Sequence, residues 1–120
     1  MLHSLCAQRA LLSGYHHILG NDGDTPLNRA AGEGHVEIVR LLLAAGADKD
    51  KADNDGSTPL IRAAGGGHIE TVQLLLAAGA DKDKADNDGY TPLIYSASEG
   101  HLETVRLLLA AGAHKNNVTS

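Results

Sequence analysis

The sequence predicts an all-α repeat solenoid, a stack of helix pairs joined by polar hairpin loops, and three observations carry that prediction. The first is a period. The stretch DKDKADNDG occurs at 48–56 and again at 81–89, so Asp48 and Asp81 lie 33 residues apart (81 − 48). The same offset aligns residues 22–54, 55–87 and 88–120 as three units, of which the first two share 27 of 33 positions and the last two share 20. A fixed period of this size marks stacked copies of one supersecondary unit. The second observation is a lack of bulk: the chain has no Phe, no Trp and three Tyr. Its core therefore rests on Leu, Ala, Val and Ile, which suits thin helical layers. The third is that every unit carries the start and stop signals of two helices.

In the first unit, Thr25 before Pro26 is a helix start. The hydroxyl can accept an orphan backbone N–H, and proline is favoured at the first helical position, where its missing donor is not needed. A short helix is expected over about 26–32, ended by Gly34 in the left-handed conformation. A second helix is expected from about Val36 to Ala45. Val36, Val39, Leu42 and Leu43, flanked by Ile38 and Leu41, recur at helical spacing and define a broad buried face. Glu37 lies in its first turn, where negative charge complements the helix dipole. Gly46 terminates it. The segment 47–57 alternates Asp and Lys up to Asn54-Asp55-Gly56, a combination that favours a tight, solvated turn.

The run D-G-x-T-P-L-x-x-A-A-x-x-G-H-x-E-x-V-x-L-L-L-A-A-G-A-D on this period resembles the ankyrin repeat, over 22–120 in three full copies. The resemblance implies stacked antiparallel helix pairs with projecting β-hairpin loops and a curved solenoid. It also implies that His35, His68 and His101 are structural and bond backbone near the hairpin. Two features depart from the family. Asn28, Ile61 and Ile94 stand where histidine usually follows T-P-L, so a hydrogen bond is expected to be missing. Lys49 and Lys82 stand at a hairpin position that is often apolar. Residues 1–21 do not repeat the motif; 3–13 are expected to form an orphan second helix, a half-repeat or leader beside the three repeats, with 15–23 as its hairpin.

Composition bounds the function. A chain of 120 residues makes one domain that buries roughly two-thirds of the surface its unfolded form exposes. The formal net charge of −5 argues against nucleic acid, which calls for a basic surface. No apolar run approaches a membrane span, and the N-terminus lacks the pattern of a secretory signal. A lone Cys6 fits a reducing compartment, which leaves the sequon at Asn117 without a role. An intracellular, cytoplasmic protein is expected.

No cofactor, metal or catalytic set is expected. If Gly56 is the glycine of a calcium loop, Lys51 falls on the first ligand position and Arg62 on the last; in the second copy these are Lys84 and Tyr95. The histidine ladder at the repeat period spaces its rungs too far apart to share one ion, adjacent His16 and His17 point to opposite sides of an extended segment, and His3 with Cys6 are too few to make a site. Gly65-Gly66-Gly67 lacks the Lys-Ser/Thr of a phosphate loop and reads as a frayed helix end.

Where the units differ is more informative: at 24/57/90, 29/62/95, 32/65/98 and 33/66/99. By the resemblance these positions lie on the concave hairpin and first-helix surface that contacts protein partners, which singles out Asp24, Arg29, Glu33, Ser57, Arg62, Tyr90, Tyr95 and Glu99. A non-enzymatic protein-interaction scaffold is the expected function. The competing expectation is a structural or engineered repeat stack, or a piece of a longer array, without its own partner. The final helix, at 102–113, keeps the internal apolar pattern. Its C-terminal flank is therefore expected to expose Leu and Ala, with Leu107 and Leu108 as test positions, and to self-associate. Titration with calcium followed by calorimetry should detect no site tighter than about millimolar; a stoichiometric micromolar site would revive the metal loop.

Overall fold

A computed structural model of the chain describes residues 23–113. Among these residues the chain forms six helices in three pairs. They are α1 (Pro26–Glu33) with α2 (Val36–Ala44), α3 (Pro59–Gly66) with α4 (Ile69–Ala77), and α5 (Pro92–Ser98) with α6 (Leu102–Ala110). The half-unit expected over 1–21 and the tail from His114 lie outside the described residues.

The helix starts follow the sequence signals. Thr25, Thr58 and Thr91 are extended, and each Oγ1 accepts the backbone N–H three residues on, at 3.0, 3.2 and 3.2 Å. At the end of α1, Gly34 takes φ 73°, and His35 N–H reaches back to the Ala30 carbonyl at 3.0 Å. That closure satisfies carbonyls the helix leaves open and turns the chain by two residues into α2. The two helices of a pair then pack against each other, first helices stack on first helices, and second helices on second helices.

The core runs through the stack. Leu27, Leu60, Leu75 and Leu108 are fully buried with Val39 and Val72, and each such side chain contributes about 1.5–3 kcal/mol over an exposed position. Ala30, Ala31, Ala63 and Ala64 are buried between the first helices, where small side chains permit close approach. The expected face of the second helix needs one correction. Ile38 and Leu41 are exposed on α2, whereas the counterparts of Ile38, Thr71 and Thr104, are buried. That position is interior only when another unit lies on its N-terminal side. Leu108 is likewise core rather than flank, because its counterpart Leu75 packs the same way; Leu109 and Leu102 are the exposed leucines of α6.

The loops are hairpin-shaped turns, and no strand forms among the described residues. Asp53 N–H donates to the Ser57 carbonyl at 3.0 Å, but Pro59 opens α3 two residues later and offers no donor to extend a ladder. Neighbouring loops are tied one bond at a time, by Asn87 N–H to the Asp55 carbonyl (3.0 Å) and Asn87 Nδ2 to the Asn54 carbonyl (2.9 Å). Lys49 and Lys82 fit this arrangement through their stems. Their Cε atoms lie 3.5 and 3.4 Å from where a Cβ on Gly79 or Gly112 of the next unit would stand. Long cationic side chains commonly cover apolar surface in this way.

The histidines lock the pairs together at a place other than the hairpin. His68 Nε2 donates to the Gly32 carbonyl at 3.0 Å, and His101 Nε2 to the Gly65 carbonyl at 3.1 Å, both in the last turn of the preceding unit's first helix. Each ring fills the space beside a left-handed glycine, so a Cβ on Gly34 or Gly67 would stand 2.6 or 2.7 Å from its Nδ1. A Cβ on Gly66 would stand 2.6 Å from His68 Nε2, but the position itself admits a side chain, since Glu99 holds it in the third unit while His101 keeps the same seat. The glycine run is thus the seat of a ring, not a frayed end.

A matched pair of substitutions separates backbone from packing. Gly100→Ala places a side chain at φ 75° with nothing within 4 Å, and should cost about 1–2 kcal/mol for the left-handed backbone alone. Gly67→Ala, at φ 71°, should add roughly 1–3 kcal/mol because it displaces the His101 ring. Urea denaturation of the two variants measures the difference.

Candidate functional site

The surface singled out by sequence is organised by aspartates. At the turn that leads into the second unit, Asp53 Oδ1 accepts the N–H groups of Asp55 and Ser57, each at 2.9 Å, and its Oδ2 accepts Arg62 Nη2. At the turn that leads into the third unit, Asp86 Oδ1 accepts Asp88 N–H at 3.0 Å and Tyr90 N–H at 2.9 Å, while its Oδ2 accepts the Tyr95 hydroxyl. The turn carboxylate is the same and only its third donor differs, a guanidinium in one unit and a phenol in the next. These aspartates are not part of the solvated loop the sequence suggested: Asp86 is buried, and the Asp53 side chain is 5% exposed.

Asp24 sits at the junction of the first two units, its side chain also 5% exposed. Its Oδ2 lies 3.6 Å from Arg29 Nε and its Oδ1 lies 3.3 Å from Arg62 Nη2. Arg62 therefore bridges Asp24 and Asp53. Arg29 also approaches Glu33 at 4.0 Å, and Glu33 meets His35 Nε2 at 3.1 Å. On the third unit the Tyr90 and Tyr95 rings meet edge to face, with centroids 5.8 Å apart and planes at 83°, a favoured geometry for aromatic pairs. Arg62 and Tyr95 occupy one register: the Arg62 stem crosses Gly32, and Tyr95 crosses Gly65. Ser57 serves through its backbone, its carbonyl accepting Asn28 Nδ2 at 3.3 Å. Glu99 caps α5 and is exposed.

The structure thus joins Asp24, Arg29, Glu33 and Arg62 in one charged network, with Tyr90 and Tyr95 as a ring pair in the adjoining unit. Three residues that organise this surface were not singled out: Asn28, Asp53 and Asp86. Asn28 is buried and donates to the carbonyls of Lys51 and Ser57, both at 3.3 Å. The hydrogen bond expected to be missing after T-P-L is therefore made in the first unit by asparagine. A polar residue where the other units carry Ile was the available signal. For Asp53 and Asp86 it was the nine-residue spacing to Arg62 and Tyr95.

Among the described residues, no group of three or more His, Cys, Asp or Glu side chains is placed to hold a metal ion. No helix among them is long and apolar enough to cross a membrane.

Stacked helix pairs with a polar, hairpin-edged surface define a repeat module of the kind built for contact with other proteins. The model for ankyrin repeats in three copies matches residues 45–119, and that for a single ankyrin repeat matches residues 22–54. The chain belongs to the ankyrin repeat family, whose members are generally protein–protein interaction modules. No curated protein gives a significant match.

The charged bridge can be tested by stability. Arg62→Ala leaves two largely buried carboxylates short of their shared cation and should cost roughly 2–4 kcal/mol. Arg62→Tyr, which copies the third unit, should recover much of that loss through Asp53. Arg29→Ala, at a half-exposed pair, should cost less than about 1 kcal/mol. Urea denaturation measures all three.

Proposed function

We propose that the chain is a non-enzymatic scaffold that binds a protein partner on its hairpin and first-helix face, through Asp24, Arg29, Glu33, Ser57, Arg62, Tyr90, Tyr95 and Glu99. The observation that supports this reading is contiguity: of the positions at which the units differ, Asp24, Arg29, Glu33 and Arg62 form one charged network, with the Tyr90–Tyr95 ring pair in the adjoining unit. Its side chains are held before any partner arrives. The Arg62 guanidinium is fixed by two carboxylates and the Tyr95 hydroxyl by a third, which limits the ordering cost of association. Tyr90 and Arg29 are half-exposed, at 43% and 42%. Tyr and Arg are enriched among interface hot spots. A partner of mixed polarity with exposed apolar groups suits them, and the net charge of −5 disfavours nucleic acid. Catalysis finds no support, since Asp53 and Asp86 are engaged by turn N–H groups, Arg62 and Tyr95. The working assignment is three repeats at 22–54, 55–87 and 88–120 in an intracellular protein.

A second reading, a structural stack that associates with itself, is favoured by the apolar side chains left open at its two ends, Leu41 and Leu109.

Capture of partners by the full chain, followed by affinity measurement, tests the first reading. Tyr90→Ala with Arg29→Ala should weaken binding by roughly 2 kcal/mol or more while circular dichroism stays helical. Tyr95 is spared because its hydroxyl holds the Asp86 turn. Equal weakening by Gln73→Ala or Arg106→Ala, on the second helices, would place the interface elsewhere.

A further inference from the structure

The two ends of the described stack are open in complementary ways. On the N-terminal side a cleft is lined by Thr25, Pro26, Leu27, Leu42, Ala47 and Lys51. The counterparts one unit on are the same residue types; Leu27 and Leu60 are buried alike, but Thr58, Pro59, Leu75 and Ala80 are buried where Thr25, Pro26, Leu42 and Ala47 are not. Pro26 is exposed instead. Leu41 is 68% exposed, where Leu74 and Leu107 pack on the core. Ile38 is 49% exposed, where Thr71 and Thr104 are buried. The apolar version of that residue thus stands at the one unit where it meets water.

The C-terminal side lacks the other half of the same junction. Ala97 is exposed where Ala31 and Ala64 are fully buried. Leu109 is 43% exposed, where Leu43 and Leu76 pack on the core. Gly100 has nothing within 4 Å of a Cβ, whereas Gly34 and Gly67 each seat the next unit's histidine ring. The matching ring is at the opposite end: His35 rests on Glu33 at the surface, while His68 and His101 each reach 36 residues back to a helix-end carbonyl.

We propose that copies of this chain join end to end, the N-terminal flank of one copy seating on the C-terminal flank of another, with His35 beside Gly100 and its Nε2 on the Ser98 carbonyl. The occupant is a second copy because the contact continues the two junctions inside the chain. Ser98 in place of Gly32 and Gly65 is accommodated. A Cβ at Gly32 would lie 3.3 Å from the flexible Arg62 stem, and one at Gly65 would lie 3.8 Å from Tyr95. At the new junction the neighbour is the stem of Arg29. Ile38 would take the buried seat of Thr71 and Thr104, whose hydroxyls have no hydrogen-bond partner. The interface is heterologous and leaves both outer ends open, so association extends rather than closing as a dimer. The proposal rests on the self-association reading; Arg29, whose counterpart Arg62 meets Asp24 of the preceding unit, would stand beside Tyr90 of the other copy, so variants at Leu41 and Leu109, which lie off the partner face, separate the two readings.

Two exposed positions separate this arrangement from its alternatives. The full chain is examined by sedimentation velocity from micromolar to millimolar concentration, alone and as Leu41→Glu and Leu109→Glu. The wild type should pass beyond the dimer as concentration rises. Each variant alone should stay monomeric, and an equal mixture should form one-to-one dimers that grow no further, since each variant keeps the end the other lacks. His35→Ala should weaken association by about tenfold through its lost bond. Dimers of Leu41→Glu alone would show C-terminal flanks meeting back to back, and dimers of Leu109→Glu alone would show N-terminal flanks doing so; either result overturns the proposal. A wild type that remains monomeric overturns it as well, and would indicate that the chain's own residues cover an end. Circular dichroism confirms that each variant is helical, with Leu41→Gln and Leu109→Gln used if a glutamate unfolds its host. Partner capture by Leu41→Glu, which retains Tyr90 and Arg29, reports on the binding face separately.

Discussion

No helix pair in this protein can bury its own apolar face. Each pair is a thin layer of Leu, Val and Ala, and the only surface available to cover it is an adjoining layer of the same kind. Everything else follows from making that contact close and keeping it in register. Alanines at 30, 31, 63 and 64 let the first helices approach. The left-handed glycines at 34 and 67 leave space that the next unit's imidazole fills, and the imidazole fixes the register by finding one carbonyl. Stability in such a stack is approximately a sum over units and junctions, which is why a single ring and a single missing Cβ matter as much as a core leucine.

The fold was legible because its signals are local and repeated. Thr-Pro starts, the Gly34 stop and the spacing of Val39, Leu42 and Leu43 each act within a turn of helix, and three copies agree. The surface was less legible because its chemistry lies in pairings across loops. Asp53 and Asp55 look alike in a run of acidic residues, yet only Asp53 closes its turn and takes Arg62. The exchange of Arg62 for Tyr95 was visible as a difference; that both serve one turn carboxylate was not. The same holds for Asn28, whose partners at Lys51 and Ser57 lie 23 and 29 residues away. At α2 and α6 the periodicity marked the apolar faces, but which leucines are interior depends on neighbours that a single-helix pattern does not encode.

The third unit diverges from the others mainly at its surface. Tyr90, Tyr95 and Ser98 replace Ser57, Arg62 and Gly65, while Thr91, Pro92, Leu108 and Ala113 keep the buried roles of their counterparts. Binding properties and packing are therefore carried by different positions of one template. A face can change from charged to aromatic within one unit while the layers beneath it stay in place.

The histidine junction has a bearing on how such a chain can change length. What His68 and His101 recognise is a main-chain oxygen beside a glycine, which every unit in the middle of the array offers in the same position. A duplicated 33-residue block inserted between existing blocks would find a ready neighbour on each side and require no compensating change elsewhere. The unit of heritable variation in this architecture is thus a whole paragraph of sequence, added or removed without rewriting the text around it.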